Sequence, residues 1–170
     1  YAPGLDLDPL QSALRDALER HAPEASVLAL RDYHAENLIW RPERASTDRI
    51  GLLDFQDALR APPEYDLVSL LRDARRDVSE DLRAAMIARF ASATGRDAKQ
   101  VAADCAVLGL QRNLRILGIF ARLARRDGKT RYLALMPRVW NQIRADLGHP
   151  ALSGVVACAA AIPAPEETAA

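Results

Sequence analysis

The chain has 170 residues, of which 49% are hydrophobic and 27% are charged, a composition typical of one globular domain with a buried core. Its 23 basic and 23 acidic residues balance, which argues against a general nucleic-acid or membrane-surface binder, because such proteins are basic overall. Cys105 and Cys158 lie far apart without a CxxC pattern, so we expect reduced cysteines in a cytoplasmic protein rather than a zinc site. No apolar run approaches the roughly 20 residues that cross a bilayer.

Residues 1–25 are predicted to form a linker and a first helix. The opening YAPGLDLDP is typical of a mid-chain linker, and the first residue is Tyr1 rather than Met, so we expect the C-terminal portion of a longer protein. Asp8 is predicted as a helix N-cap, with Pro9 at the first helical position and Pro23 after the end. One face of this helix is apolar and consists of Leu10, Leu14, Ala17 and Leu18.

Short apolar runs in the next segment predict β-strands. Residues 26–30 (SVLAL) form one candidate strand. Leu38–Trp40 and Ile50–Leu53 are joined by the polar loop RPERASTDR, which predicts a small β-hairpin.

The chain after Pro63 has helical periodicity throughout, and we expect a helical bundle over residues 64–150. The first predicted helix is Tyr65–Arg75, and its apolar face consists of Leu67, Leu70, Leu71 and Ala74. The second is capped by Ser79 and ended by Gly95, with Leu82, Met86 and Phe90 on its apolar face. A long helix then runs from Asp97 to about Asp127 and is ended by Gly128, and a further helix begins at Thr130 and bends near Pro137. Residues 151–170 are predicted to be a C-terminal helix and a tail that is disordered at its end. The sequence therefore predicts an α+β fold that is predominantly α-helical.

The segment LRDYHAENLIW at residues 30–40 has the composition of a phosphoryl-transfer site. Such a site needs a carboxylate beside the attacking hydroxyl and oxygen ligands for Mg²⁺. Asp32 and Asn37 are five positions apart, and Asp54 follows at the end of the next apolar run, which is the order of base, metal ligand and second metal ligand in kinase catalytic loops. The alternative is that Asp32 and Asn37 are turn residues and Asp54 is a cap.

These motifs resemble the C-terminal lobe of the aminoglycoside phosphotransferase and choline kinase family. The family pattern H-x-D-x-x-x-x-N is matched here except that Leu30 replaces the His, and Asp54 with Phe55 matches the family's I-D-[FW]. The resemblance implies a protein-kinase-like lobe in which a hairpin carries the site, with Asp32 as catalytic base, Mg²⁺ bound by Asn37 and Asp54, and ATP as phosphoryl donor. The segment PPEYDLVSLL is similar to a further family motif, which implies that Asp66 is a structural carboxylate that steadies the catalytic loop.

A narrower resemblance is to bacterial cell-wall sugar kinases. It rests on LRDYHAENLIW, GLLDFQDA, YDLVSLLRDARR, QRNLRILGIFARLARRDGK and YLALMPRVW, and it covers about residues 27–150. It implies an ATP-dependent kinase for the anomeric hydroxyl of N-acetylmuramate or N-acetylglucosamine, acting in peptidoglycan recycling. The kinase-like lobe would occupy residues 26–150, with the catalytic loop at 30–40 and the metal-binding segment at 50–57.

Other polar residues have alternatives that the sequence leaves open. Asp57 could assist the metal, contact the sugar or cap a turn. His34 could contact the substrate or brace the loop. Arg31 is a substrate-binding candidate that could pair with a nearby carboxylate, including one on the sugar, or could be a surface arginine. Gln56 is a further substrate-binding candidate. Most arginines of the long helix are expected to face solvent. Arg112 and Asn113 are nevertheless candidates for binding the lactyl carboxylate of N-acetylmuramate.

No glycine-rich phosphate loop occurs in the chain, and Lys99 and Lys129 are its only lysines. We therefore expect the N-terminal nucleotide-binding lobe to lie upstream, outside these residues, and the 170 residues alone to be inactive. Two other functions stay open: a phosphotransferase for aminoglycosides or other small molecules, and a non-catalytic kinase-like helical binding module.

Overall fold

The structure is a computed structural model that describes residues 4–165. Within them the α-helices are α1 (Asp8–His21), α2 (Tyr65–Leu71), α3 (Glu80–Thr94), α4 (Ala98–Asp127), α5 (Met136–Leu147) and α6 (Ser153–Ala159). Short 3₁₀ helices cover Ala35–Asn37, Ser46–Arg49, Thr130–Leu135 and Pro150–Leu152. The prediction of a predominantly helical α+β fold is confirmed. The end of the tail that was predicted to be disordered lies outside the described residues.

In the described part of the chain, four short strands form two separate antiparallel pairs. β2 (Leu38–Trp40) pairs with β3 (Ile50–Leu52), with Leu38 opposite Leu52 and Trp40 opposite Ile50, so the predicted hairpin is confirmed. β1 (Val27–Ala29) pairs with β4 (Leu59–Ala61), a strand that the sequence analysis did not predict. The catalytic loop connects β1 to β2, and the segment around Asp54 connects β3 to β4. Both segments therefore run from one strand pair to the other.

Helix ends agree with the predictions where a local cap determines them. The Ser79 and Asp97 side chains accept hydrogen bonds from the backbone N–H groups of Leu82 and Gln100. Gly95 and Gly128 end α3 and α4 in the left-handed conformation, which favours glycine because it has no Cβ.

Three boundary predictions are wrong. Leu7, not Asp8, is the N-cap of α1, and the backbone N–H of Asp8 donates to the Asp6 side chain at 3.0 Å. α2 ends at Leu71 rather than Arg75. The segment from Thr130 is a 3₁₀ helix, and Pro137 lies in the first turn of α5 rather than at a bend, where its missing N–H has no helical partner to lose.

The long helix α4 is the centre of the core. Val107, Leu110 and Leu117 are completely or almost completely buried and belong to a cluster with residues of α1, α5 and α6. A second cluster joins Val68 of α2 and Ala91 of α3 to the N-terminal half of α4. On α3 the packed residues are Ile87, Phe90 and Ala91, whereas Leu82 is 50% exposed, so the predicted apolar face is partly wrong. None of the described helices is long and apolar enough to cross a membrane.

Buried charges fix the end of α2 against the bundle. Arg72 pairs with Asp146 of α5, and both are buried. A Cβ at Gly109 would lie 2.7 Å from an Asp146 carboxylate oxygen, so glycine is required for this close approach of α4 and α5. Arg96 similarly pairs with the buried carboxylates of Glu64 and Asp104. These contacts hold α2 in a fixed position beside the catalytic loop.

Candidate active site

The Asp66 carboxylate of α2 anchors the start of the catalytic loop. It accepts hydrogen bonds from the backbone N–H of Leu30 at 2.7 Å and of Arg31 at 3.0 Å. The Ser69 hydroxyl, one turn further along α2, donates to the Arg31 carbonyl at 3.2 Å. The Asp66 and Ser69 side chains together restrain the backbone at the start of the loop.

The backbone is strained at two positions of the predicted site. Arg31 has a φ of 70° and Asp54 a φ of 58°, in the left-handed region that residues with a Cβ rarely adopt. Such strain persists only where the surroundings hold it and is often found at functional sites. At Arg31 the Asp66 and Ser69 hydrogen bonds provide that restraint on both sides of the residue.

Asp32 and Asn37 are joined within the loop. The Asn37 side-chain amide nitrogen donates to the Asp32 carbonyl at 2.8 Å and lies 3.4 Å from Nε2 of His34. The Asn37 backbone N–H donates to the His34 carbonyl at 2.9 Å. This arrangement engages the nitrogen of the Asn37 amide and leaves its oxygen as the atom that can bind a cation.

Asp54 lies at the same end of the hairpin as Asn37. The backbone N–H of Leu53 donates to the Asn37 carbonyl at 3.0 Å, and Asp54 is the next residue. Its exposed carboxylate accepts a hydrogen bond from the Gln56 side chain through Oδ1 at 2.6 Å. Gln56 therefore orients Asp54, and the second carboxylate oxygen stays available.

These oxygen donors suit Mg²⁺, which needs few protein ligands, better than a metal ion whose ligands all come from the protein. Among residues 4–165 no three His, Cys, Asp or Glu side chains are arranged to hold a metal ion. Asn37 and Asp54 offer one amide oxygen and one carboxylate, which suits Mg²⁺, since it commonly takes one or two protein ligands and completes its shell with phosphate and water.

Asp57 and Arg31 are brought together. The Asp57 carboxylate lies 3.8 Å from the Arg31 guanidinium, and the Asp57 side chain is 56% exposed. The pairing of Arg31 with a nearby carboxylate, one of the predicted alternatives, is therefore present. Because the Asp57 carboxylate already has a cationic partner, it is less available to a metal ion than the oxygens of Asn37 and Asp54.

A small cavity of about 150 Å³ lies beside the catalytic loop. Asp32 and His34 line it from the loop, and Arg112 lines it from α4. Nδ1 of His34 and Nε of Arg112 are buried and have no hydrogen-bond partner within the described part of the chain. Asn113, in contrast, is completely buried and does not line this cavity, so the structure does not bring it to the site.

Three further charged residues line the cavity. Asp73 and Arg75 follow α2 and were not predicted to lie here, whereas Arg115, one turn after Arg112, is exposed as expected for the arginines of the long helix and also lines the cavity. Arg75 pairs with Glu36 of the catalytic loop at 2.9 Å and lies 3.8 Å from Asp73. The run RDARR directly after a buried helix was a signal for charged residues at this place, but their partners are distant in sequence.

Burial lowers the pKa of Arg112, and Tyr65 and Asp32 oppose this effect. The Tyr65 side chain and the Asp32 charge both stabilise the guanidinium cation. An always-charged guanidinium beside the catalytic-loop carboxylate can orient Asp32 or bind an anionic group of a substrate.

Comparison with known proteins shows the family of the chain. The family model described as the phosphotransferase enzyme family matches residues 2–104, a range that includes the whole catalytic loop, Asp54 and Asp66. The chain therefore belongs to the phosphotransferase enzyme family.

Its curated relatives are more specific. The chain is 49% identical over 131 residues to an N-acetylmuramate/N-acetylglucosamine kinase of Caulobacter vibrioides, covering 76% of this chain and 36% of the relative. It is 38% identical to the Neisseria meningitidis protein of the same name, covering 71% and 37%, and 36% identical to that of Pseudomonas putida, covering 74% and 38%. The chain thus spans little more than a third of the length of these relatives.

Proposed function

We propose that this chain is the acceptor- and metal-binding lobe of an ATP-dependent kinase that phosphorylates the anomeric hydroxyl of N-acetylmuramate and N-acetylglucosamine. The observation that carries the proposal is the geometry of the catalytic loop, in which Asp32 lines a cavity and the Asn37 amide donates to the Asp32 carbonyl. This loop occurs in a chain that is 49% identical to a kinase named for these two sugars. The reaction would serve peptidoglycan recycling in the cytoplasm.

Asp32 acts as the general base in this proposal. The sugar hydroxyl oxygen attacks the γ-phosphorus of ATP, the bond from that phosphorus to the bridging oxygen breaks, and ADP leaves. The hydroxyl proton passes to the Asp32 carboxylate. The partly buried position of Asp32 at the cavity wall supports this role, because a base must lie within hydrogen-bond reach of the proton that it accepts.

Asn37 and Asp54 would hold Mg²⁺. The ion would neutralise charge on the phosphates. The Asn37 amide is fixed by its bond to the Asp32 carbonyl and Asp54 by its bond to Gln56, which supports both as preorganised ligands. His34 and Arg112 then contact the acceptor sugar, and Arg31 with Asp57 stabilises the loop entrance.

The nucleotide is expected to bind between this lobe and an N-terminal lobe upstream. Apolar side chains beside the proposed metal ligands support this expectation: Ile39, Trp40, Leu53 and Phe55 are 45%, 60%, 47% and 61% exposed. An apolar surface of this kind next to a polar site is typical of an interaction face. Residues 26–150 would form the kinase-like lobe, with the first helix before it and the C-terminal helix after it.

The charge of the cavity favours an amino sugar over an aminoglycoside. Arg75, Arg112 and Arg115 line it against two carboxylates, Asp32 and Asp73. Aminoglycosides are polycations, and three guanidinium groups would repel them. A non-catalytic binding module has no need for the bonded Asp32–Asn37 pair and the Asp54–Gln56 contact in one place.

Phosphoryl transfer in the full-length protein tests the proposal directly. We expect Mg²⁺-dependent transfer to N-acetylmuramate and N-acetylglucosamine, with the phosphate located at the anomeric position by phosphorus NMR, and none to kanamycin. Asp32→Asn should lower turnover by about 10²–10⁴-fold, because an amide cannot accept the proton. Efficient phosphorylation of kanamycin, with neither sugar accepted, would contradict the proposed substrate. Full activity of Asp32→Asn would contradict the proposed base.

A further inference from the structure

The cavity beside Asp32 has a polar side and an apolar side. Ile116, Ile119 and Phe120 of α4 form the apolar side, and Asp32, Asp73 and the three arginines form the polar one. A sugar derivative combines both kinds of surface, since the faces of its ring are apolar and its substituents are polar. The arrangement of the charges then indicates which substituents the cavity accepts.

The three arginines differ in what already binds them. Arg75 pairs with Glu36 and lies near Asp73. Arg112 lines the cavity with Asp32, and the Tyr65 side chain and the Asp32 charge both favour its cationic form. Arg115 is exposed, and within residues 4–165 neither it nor Arg112 forms a salt bridge with a carboxylate. Arg115 is therefore the cationic group of the cavity that is most available to a ligand.

Arg112 and Arg115 are also close to each other. They lie three positions apart on α4, hence on one face and about 4.5 Å apart along the helix axis. The Arg115 charge contributes to lowering the pKa of Arg112, as expected for two neighbouring cations. The buried Nε of Arg112 has no hydrogen-bond partner among residues 4–165. An anion between these two guanidinium groups would offset their repulsion and supply the missing acceptor.

We propose that Arg115, assisted by Arg112, binds the lactyl carboxylate of N-acetylmuramate and makes the enzyme prefer this sugar to N-acetylglucosamine. This inference rests on the proposed function. The lactyl ether is attached at C3, two carbons from the anomeric carbon, so a sugar whose anomeric hydroxyl meets Asp32 carries its carboxylate away from Asp32, and Arg115 lines the same cavity. Arg115 is one turn from Arg112, which lies near Asp32, and a guanidinium can donate two parallel hydrogen bonds to a carboxylate.

Steady-state kinetics on the full-length protein separate this role from a general structural one. Arg115→Ala should raise the KM for N-acetylmuramate about 10- to 100-fold more than the KM for N-acetylglucosamine, the range expected for a lost hydrogen bond to a charged group. Arg115→Lys should recover part of the difference, because it keeps the charge but not the paired donors. Arg122→Ala is the matched control, since Arg122 is exposed on the same helix and does not line the cavity; it should leave both KM values unchanged.

The methyl ester of N-acetylmuramate distinguishes charge from size. The unsubstituted enzyme should bind the acid more tightly than the ester, and Arg115→Ala should bind both with similar KM values. Equal changes for the acid and N-acetylglucosamine, or a preserved preference for the acid over the ester, would overturn the role of Arg115 while leaving the sugar-kinase activity standing. An unsubstituted enzyme that phosphorylates neither sugar would overturn both proposals.

Discussion

Asp66→Asn should loosen the catalytic loop while leaving the helical bundle intact. The carboxylate accepts hydrogen bonds from the backbone N–H groups of Leu30 and Arg31 at 2.7 and 3.0 Å. An asparagine keeps one acceptor oxygen but turns an NH₂ group toward the other N–H. One charged hydrogen bond is lost and the remaining one becomes neutral, which costs about 2–3 kcal/mol in total. When the loop opens, Arg31 can also leave its left-handed φ of 70°. This releases backbone strain of about 1–2 kcal/mol for a residue with a Cβ.

Amide hydrogen exchange followed by mass spectrometry measures this effect. An opening free energy lower by about 2–3 kcal/mol speeds exchange about 30- to 150-fold, and we expect the increase in the peptide that contains residues 30–37. Peptides from α4 should exchange as in the unsubstituted protein. Turnover of the full-length enzyme should fall, because the loop carries Asp32 and Asn37.

Two further variants test the reasoning. Arg31→Gly in the Asp66→Asn background should restore part of the protection, since glycine adopts a φ of 70° without strain. Asp77→Asn removes an exposed carboxylate that pairs with Arg138 and should have a much smaller effect on exchange. If Asp66→Asn changed neither exchange over residues 30–37 nor turnover, Asp66 would not be what holds the loop.

Three other predictions concern the metal, a buried carboxylate and the cysteines. Asp54→Ala should weaken Mg²⁺ and nucleotide binding together in calorimetric titrations, because Asp54 would hold the Mg²⁺ that neutralises charge on the phosphates, whereas Asp48→Ala in the exposed hairpin loop should weaken neither. Burial raises the pKa of Asp146 to about 7 from an ordinary value of 3.8, against the opposing effect of Arg72. The folded protein then binds more protons than the unfolded chain between these values, so the contribution of Asp146 to the free energy of unfolding falls as pH rises through this range. Urea unfolding at several pH values should show a flatter profile for Asp146→Asn, and an unchanged slope would contradict the raised pKa. Burial also raises the pKa of the Cys105 thiol to about 12, so iodoacetamide should modify the partly exposed Cys158 and spare Cys105 until urea is added. Rapid labelling of Cys105 in the native protein, detected by peptide mass spectrometry, would show that the core around α4 opens.

Features controlled by neighbouring residues could be predicted from the sequence. The structure agrees with the predicted caps at Ser79 and Asp97, the helix ends at Gly95 and Gly128, and the hairpin at residues 38–52. Each of these features depends on groups that are close in sequence. The spacing of Asp32 and Asn37 is local as well. The residues between them form one short loop, and the hydrogen bond from the Asn37 amide to the Asp32 carbonyl involves no residue from another part of the chain.

Only the tertiary structure determined what surrounds the loop. β1 finds its partner β4 more than thirty residues away, and Asp66 reaches Leu30 because α2 packs against α4. The same packing puts Arg75 and Arg115 at the cavity and Asn113 in the core, although Arg112 and Asn113 are adjacent in sequence. Successive residues of a helix point about 100° apart, so the apolar cluster that α4 joins decides which of two neighbouring side chains faces the cavity and which is buried.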